Sequence, residues 1–228
     1  MSGAATAPGH GLEGVADAGA FLARLVRFDP ATVVRLRPVD GAGRTALWAR
    51  LPWDALVTRT VAGRAPGDVT VSATDLLARL ESADAALPTR RDERWRWPLP
   101  PVASRAVEQV PAGELRRIAE AAAGALRSAA AHGVGGRAVG QRVLRDALLD
   151  HVAVVVTPDD ASGEPVEVSQ RLVQAVVRMG FLGPVDAAGA AQVRVAGRWV
   201  GLVGPYGTAW SRKVHELAIQ PRKDHPKV

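Results

Sequence analysis

The chain has 228 residues, 47% hydrophobic and 23% charged, with a formal net charge of +6 and no cysteine. That length suits one large domain or two small ones, and the absent thiols exclude disulfide scaffolds, thiolate catalysis and cysteine metal ligation. No apolar run approaches the roughly 20 residues that span a bilayer, and Met1 to Gly14 lacks the basic and apolar regions of a signal peptide, so a cytoplasmic protein without membrane contact is expected.

In chain order, Met1 to Val15 is small and polar and reads as a disordered leader. Asp17 is placed to cap a helix through Arg27 whose apolar side is Phe21, Leu22, Leu25 and Val26, and Asp29-Pro30 ends it. Thr32 to Arg37 alternates Val34 and Leu36 against Arg35 and Arg37, the pattern of a half-buried strand. A turn at Asp40 to Gly43 leads to a second strand, Thr45 to Leu51, and Leu56–Val61 and Val69–Val71 read as two more. Ser72 and Asp75 form a capping box for a helix through Leu80. Residues 83–104, dense in Pro, Trp and Arg, read as a linker.

Pro111 marks the start of a helix with an alanine-rich stripe through Leu115, Ile118, Ala122, Leu126 and Ala129. Gly133, Gly135 and Gly136 break it, and a second helix runs from Arg137 to about Asp150. Val152 to Val156 reads as a buried strand. Pro158 to Glu164 is a turn, and Val166–Val168 a short strand before a helix from Ser169 to Met179 that stops at Gly180-Phe181. Val193–Val195 and Trp199–Val203 pair through Ala196-Gly197. The expected fold is therefore α+β: an N-terminal antiparallel sheet with flanking helices (16–82), the linker (83–104), a C-terminal helix-rich half with a small sheet or hairpin (105–211), and a basic tail (212–228).

The stretches Arg94 to Pro101 (RWRWPLPP), Gly133 to His151 (GVGGRAVGQRVLRDALLDH) and Arg194 to Arg212 (RVAGRWVGLVGPYGTAWSR) carry a likeness over most of the chain. Through them the protein resembles a conserved actinobacterial family of unknown function. The resemblance implies a bacterial, intracellular protein and supplies no site residues.

Charge is unevenly spread. The net is +2 over residues 1–100, +1 over 101–210 and +3 over the last 18, which also hold all three lysines. The body is near neutral, so composition alone does not establish a polybasic field.

Candidate chemistry is sparse. The glycines at 133–136 follow a helix and precede no Gly-Lys-Ser/Thr, so they read as a helix stop, not a phosphate cradle. Asp146, Asp150 and His151 form the best catalytic constellation. The two aspartates repel at four-residue spacing, and Asp150 sits where the helix dipole disfavours an anion. An ion pair or plain solvation of Asp150 is the simpler reading. No serine lies in a nucleophile elbow, and no histidine pair has zinc spacing. Asp159, Asp160, Ser162 and Glu164 lack the ligand spacing of a calcium loop. No cofactor and no metal are expected.

Two binding readings remain. The helix at 169–179 shows Arg171, Gln174 and Arg178 without an acid, and Arg194 and Arg198 follow on a hairpin; these side-chain types read phosphates and base edges. Trp95 and Trp97 alternate with Arg94 and Arg96 before a proline run. Such a segment suits a protein interface or single-stranded bases, or it folds back to cover the junction of the two halves. The leading reading is a non-enzymatic interaction or regulatory protein, homo-oligomeric or bound to another protein through Arg94, Trp95, Arg96 and Trp97. Nucleic-acid binding through the helix, the hairpin and the basic tail is the alternative, and an enzyme with an Asp/His site the weaker third.

Overall fold

The computed structural model describes residues 9–132, 141–157, 164–186 and 188–212. Gly9 to Gly14 lie strapped along the body, with His10 N donating to Ala85 O at 2.8 Å, Glu13 N donating to Ala62 O at 3.0 Å and Leu12 buried. Helix α1 (Val15–Phe28) follows, burying Ala18, Phe21, Leu22 and Leu25, the spacing of one helix face. Asp17 does not cap it. The N-cap is Gly14, without a side-chain bond, while Asp17 lies in the first turn and accepts from Arg59 Nη2 at 2.6 Å.

Strands β1 (Val33–Val39), β2 (Arg44–Arg50), β3 (Leu56–Ala62) and β4 (Val69–Ser72) lead to helix α2 (Ala73–Glu81), where Ser72 Oγ accepts from Asp75 N at 3.2 Å. After a 3-10 turn at Asp92–Arg94 come β5 (Arg105–Pro111), α3 (Ala112–His132) and α4 (Gln141–Asp150). The chain continues with β6 (Val152–Val156), β7 (Val166–Ser169), α5 (Gln170–Arg178), β8 (Ala190–Ala196), β9 (Trp199–Gly204) and β10 (Gly207–Arg212). Helix α5 ends in a Schellman motif: Gly180 at φ 69° donates to Val177 O and Phe181 N donates to Val176 O. The glycine-rich segment 133–136, the turn at 158–163 and the tail from residue 213 lie outside the described residues.

The expected division into a sheet-bearing N-terminal half and a helix-rich C-terminal half is wrong. One eight-stranded antiparallel sheet, in the order β4-β1-β2-β3-β10-β9-β8-β5, takes four strands from each half. Two strands account for the error. Pro111 was read as a helix start, but it closes β5, an edge strand on which a missing N–H costs little. The expected elements end at Val203, but Gly204 to Gly207 is a hairpin turn into a further strand, β10. With β10 in place, Thr208↔Thr58, Ala209↔Val57 and Trp210↔Leu56 join the halves into one sheet. Val152 to Val156, expected as a buried strand, pairs only with β7 in a separate two-stranded sheet, and Val155 is exposed.

The sheet has two unlike faces. On one side Val34, Leu36, Leu47, Val57, Val193 and Leu202 pack against Phe21, Leu22, Leu76, Leu115, Leu172 and Val176 of the helices. Burying a side chain such as Leu115 fully contributes about 1.5–3 kcal/mol. On the other side no helix packs among the described residues. There Leu56, Ala196 and Trp210 form a second apolar cluster with Trp48, Trp95, Trp97, Leu99 and Trp199.

Candidate functional site

The tryptophan segment reaches this helix-free face from the β4 edge. Arg91 N donates to Thr70 O at 2.7 Å, and the Asp92 carboxylate accepts from Thr70 N at 2.7 Å, which fixes where the chain turns. Beyond the 3-10 turn the backbone is extended and the prolines keep it so. Alternation then puts Trp95 and Trp97 half-buried on the sheet and Arg94 and Arg96 outward. The two indoles meet edge to face at 5.4 Å, and Trp95 Nε1 donates to Trp97 O at 2.8 Å. Arg35 sits 5.7 Å from the Trp95 ring centre and Arg50 4.9 Å from that of Trp97. Each such contact is worth about 0.5–1 kcal/mol at a partly exposed site.

The strand register shows which arginines share this face. Arg35 is opposite Trp48, Arg50 opposite Leu56, Arg194 opposite Gly201 and Arg212 opposite Trp199. Asp68 accepts two bonds from Arg35, at 2.6 and 2.7 Å, and Asp54 pairs with Arg50. Other arginines of this surface are oriented by neutral oxygens. Arg44 donates to Thr60 O, Arg94 to Ala31 O, and Arg194 to Ser104 O and Ser104 Oγ. Their charge is therefore not cancelled by the groups that hold them. The alternation in β1 carried this signal in the sequence: with Val34 and Leu36 inward, Arg35 and Arg37 must point the other way.

The polar side chains of α5 lie across the sheet from all of this. Arg171, Gln174 and Arg178 line a cavity of about 570 Å³ together with Asp146 and Asp150 of α4. Phe28, Trp53, Ala122, Leu126, Leu148 and Leu149 form its apolar wall. Gln174 is buried and donates to Ala119 O at 3.1 Å, while its Oε1 accepts from Arg178 Nε at 2.9 Å. Arg171 donates to the Asp150 carboxylate and to Trp53 O, each at 2.7 Å. Asp146 sits 4.0 Å from Arg142 and 3.8 Å from Arg145. The structure thus brings Asp146 and Asp150 together with Arg171, Gln174 and Arg178. It separates those three from Arg194, on the opposite face, and from Arg198, in the β8–β9 turn. His151 is exposed and does not line the cavity. Trp53 and Phe28, which sequence reasoning missed, meet edge to face at 5.2 Å and build the wall beside α5; nothing local marks them, since most of the other lining comes from residues 122–178.

Ion pairing shifts Asp68, Arg35 and Arg171. Hydrogen bonding to Arg35 is the main cause that holds the Asp68 carboxyl below its ordinary value, with the charge of Arg37 adding to it, and Asp68 in turn raises Arg35. The bond to Asp150 is the main cause raising Arg171. Among the described residues the cavity wall contains no Ser, Thr, Cys, His, Lys or Tyr, and its carboxylates are those of Asp54, Asp146 and Asp150. Among the described residues no three His, Cys, Asp or Glu are grouped to hold a metal ion, and no helix is long and apolar enough to cross a membrane.

The architecture is similar to that of bacterial sliding clamps. The DNA polymerase sliding clamp from Pseudomonas aeruginosa matches with a TM-score of 0.51 at 13% identity, over 89% of this chain and 63% of that one. The sliding clamp (DNA polymerase III subunit beta) from Bartonella birtlesii bound to griselimycin matches with a TM-score of 0.52 at 13% identity, over 89% and 64%. The beta subunit of the DNA polymerase of Streptococcus pyogenes matches with a TM-score of 0.50 at 10% identity, over 94% and 65%. The chain therefore has a sliding-clamp-like fold and spans less than two thirds of the length of these proteins. At such identities the likeness is one of fold alone. No curated protein matches the sequence. Residues 11–97 match the family described as Domain of unknown function (DUF8010). Residues 99–216, just over half of the chain, match a second, and the chain belongs to that family, Domain of unknown function (DUF8185).

Proposed function

We propose that the protein is a non-enzymatic, DNA-associated interaction protein that meets the phosphate backbone with the helix-free face of its sheet. The observation that carries this is the set of arginines on that face held by neutral oxygens, Arg44, Arg94 and Arg194, beside the outward Arg96. Arg212 adds to them, and the sequence beyond it continues basic. Guanidiniums with no carboxylate partner, exposed in Arg44, Arg94 and Arg96 and half-buried in Arg194, attract polyanions and release counterions on binding. The fold supports the reading, since the similar structures are DNA polymerase sliding clamps. The cavity supports the non-enzymatic part, because two of its carboxylates, Asp54 and Asp150, are bonded to arginines.

Several finer readings belong with this one. Arg94 and Arg96, carried on the Trp95–Trp97 platform, are the partner-facing residues of the segment. The residues 83–104 act as the junction of two units, a reading supported by family matches that end at 97 and begin at 99. The outer edge of β5, largely exposed and unpaired among the described residues, suits a second copy of the chain, so the protein is read as a homo-oligomer. An actinobacterial, cytoplasmic protein remains our reading of its origin.

Fluorescence anisotropy with labelled single- and double-stranded DNA at low salt tests the proposal. The intact chain, a chain ending at Arg212 and the Arg44→Gln/Arg94→Gln/Arg96→Gln variant are compared. We expect both unmutated proteins to bind, and the log–log salt slope to shrink by about 0.7–1 per lost phosphate contact in the variant. Binding by neither would end the reading, and binding by the intact chain alone would assign it to the tail.

A further inference from the structure

The cavity beside α5 is independent of the arginine face. Its lining holds four arginines and three carboxylates: Arg142, Arg145 and Arg178 are exposed, as are Asp54 and Asp150, and the two arginines of α4 reach Asp146 only at 3.8–4.0 Å, longer than a good charge-assisted bond. The Nε of Arg178 is used by Gln174 and its guanidinium carbon lies 5.5 Å from the Trp53 ring centre. Its terminal nitrogens have no hydrogen bond among the described residues.

Deeper in, Gln170 is 2% exposed, lines the same cavity, and its side-chain nitrogen has no acceptor. A buried amide donor without a partner is costly, and buried polar groups are normally satisfied. Around these donors the wall is Trp53, Phe28, Leu126, Leu148 and Leu149. A volume of about 570 Å³ lies within the ordinary range of organic-ligand sites. The four arginines exceed the three carboxylates by one positive charge, and aromatic and aliphatic surface adjoins them.

We infer that this cavity binds a carboxylate carried on an apolar body, the carboxylate meeting Arg178, the body lying on Trp53 and Phe28, and the Gln170 amide donating to the ligand deeper in the cavity. The chemistry is shared by a free aryl or branched organic acid and by the C-terminal carboxylate of an apolar peptide.

The test is calorimetry and NMR on the full-length protein with three probes: 3-phenylpropionate, N-acetyl-Leu-Phe with a free carboxylate, and N-acetyl-Leu-Phe amide. Binding of at least one acid, at least tenfold tighter than the amide, with movement of the Trp53 indole N–H resonance, is expected. Which acid binds tighter separates the small-molecule source from the peptide one. Gln170→Leu and Arg178→Gln should each weaken the acid at least fivefold, while Arg178→Lys, which keeps the charge, should retain more affinity than Arg178→Gln. Thermal melts of each variant confirm folding, and the acid–amide comparison in the unmutated protein stands even if a variant fails to fold. Equal binding of acid and amide, no binding by any probe, or binding that leaves Trp53 unmoved would overturn the inference.

Discussion

Arg171 and Trp53 bond each other in both directions. The guanidinium Nη1 donates to Trp53 O at 2.7 Å, and the indole Nε1 donates to Arg171 O at 3.2 Å. The exchange ties α5 to the β2–β3 turn, so it links the two halves on the helix side of the sheet. Arg171→Lys keeps the charge but loses the fork that reaches Asp150 and Trp53 together. In a double-mutant cycle with Trp53→Phe we expect each change to destabilise and the pair to couple by about 1 kcal/mol, within the 0.5–3 kcal/mol seen for residues in contact. Urea unfolding of the four proteins measures it, and additivity within error would mean that the two bonds are not energetically linked.

Gly201 and Trp210 face each other across β9 and β10, and a Cβ on Gly201 would lie 2.5 Å from the Trp210 ring. The ring is buried in the helix-free cluster, with little room to retreat. Gly201→Ala should therefore cost about 1–3 kcal/mol by overpacking. In a Trp210→Val background the same change should cost markedly less. Chemical denaturation of the natural protein and the three variants decides the point, and an unchanged penalty would place the strain elsewhere.

His10 gives a pH signature. It is buried, its Nδ1 accepts from Leu12 N at 3.0 Å, and burial is the main cause that holds its pKa below 6.5, opposed by the nearby Asp84. The unfolded chain therefore binds the proton more readily than the folded one. Stability from this group is full above pH 6.5 and lost as pH falls from there through the folded-state value. His10→Asn offers an oxygen acceptor that does not titrate in this range. Melting temperatures from pH 7.5 to 5.0 should fall more for the natural protein than for the variant, and parallel curves would remove His10 as the cause.

Local pattern was enough for the elements whose burial follows their own sequence. The alternation of Val34 and Leu36, the Ser72 cap and the Gly180-Phe181 stop are each settled within a few residues, and each forms as expected. The sheet's extent was not, because it depends on β5 and β10. In β5 only Val110 is fully buried, so Arg105 to Pro111 shows no clear period-two signal. In β10 the buried Ala209 and Trp210 are adjacent and face opposite sides, which masks the strand behind a glycine-rich turn. The cavity was half visible: the unusual charge of Asp150 pointed to a partner, but Arg171 could not be named as that partner before α4 and α5 were seen together.

The seam between the halves has a consequence for how the chain assembles. β1–β2, β2–β3, β8–β9 and β9–β10 can each close as a hairpin soon after their residues are made, but β3 and β10 pair residues 56–58 with 208–210. Contacts so distant along the chain form slowly. During synthesis β3 is therefore left as a bare strand edge until nearly the last described residue has emerged. The centre of that strand is Thr58, Arg59 and Thr60, polar for a position that ends in the middle of a sheet. On a waiting edge, an arginine between two threonines hinders recruitment of another nascent chain.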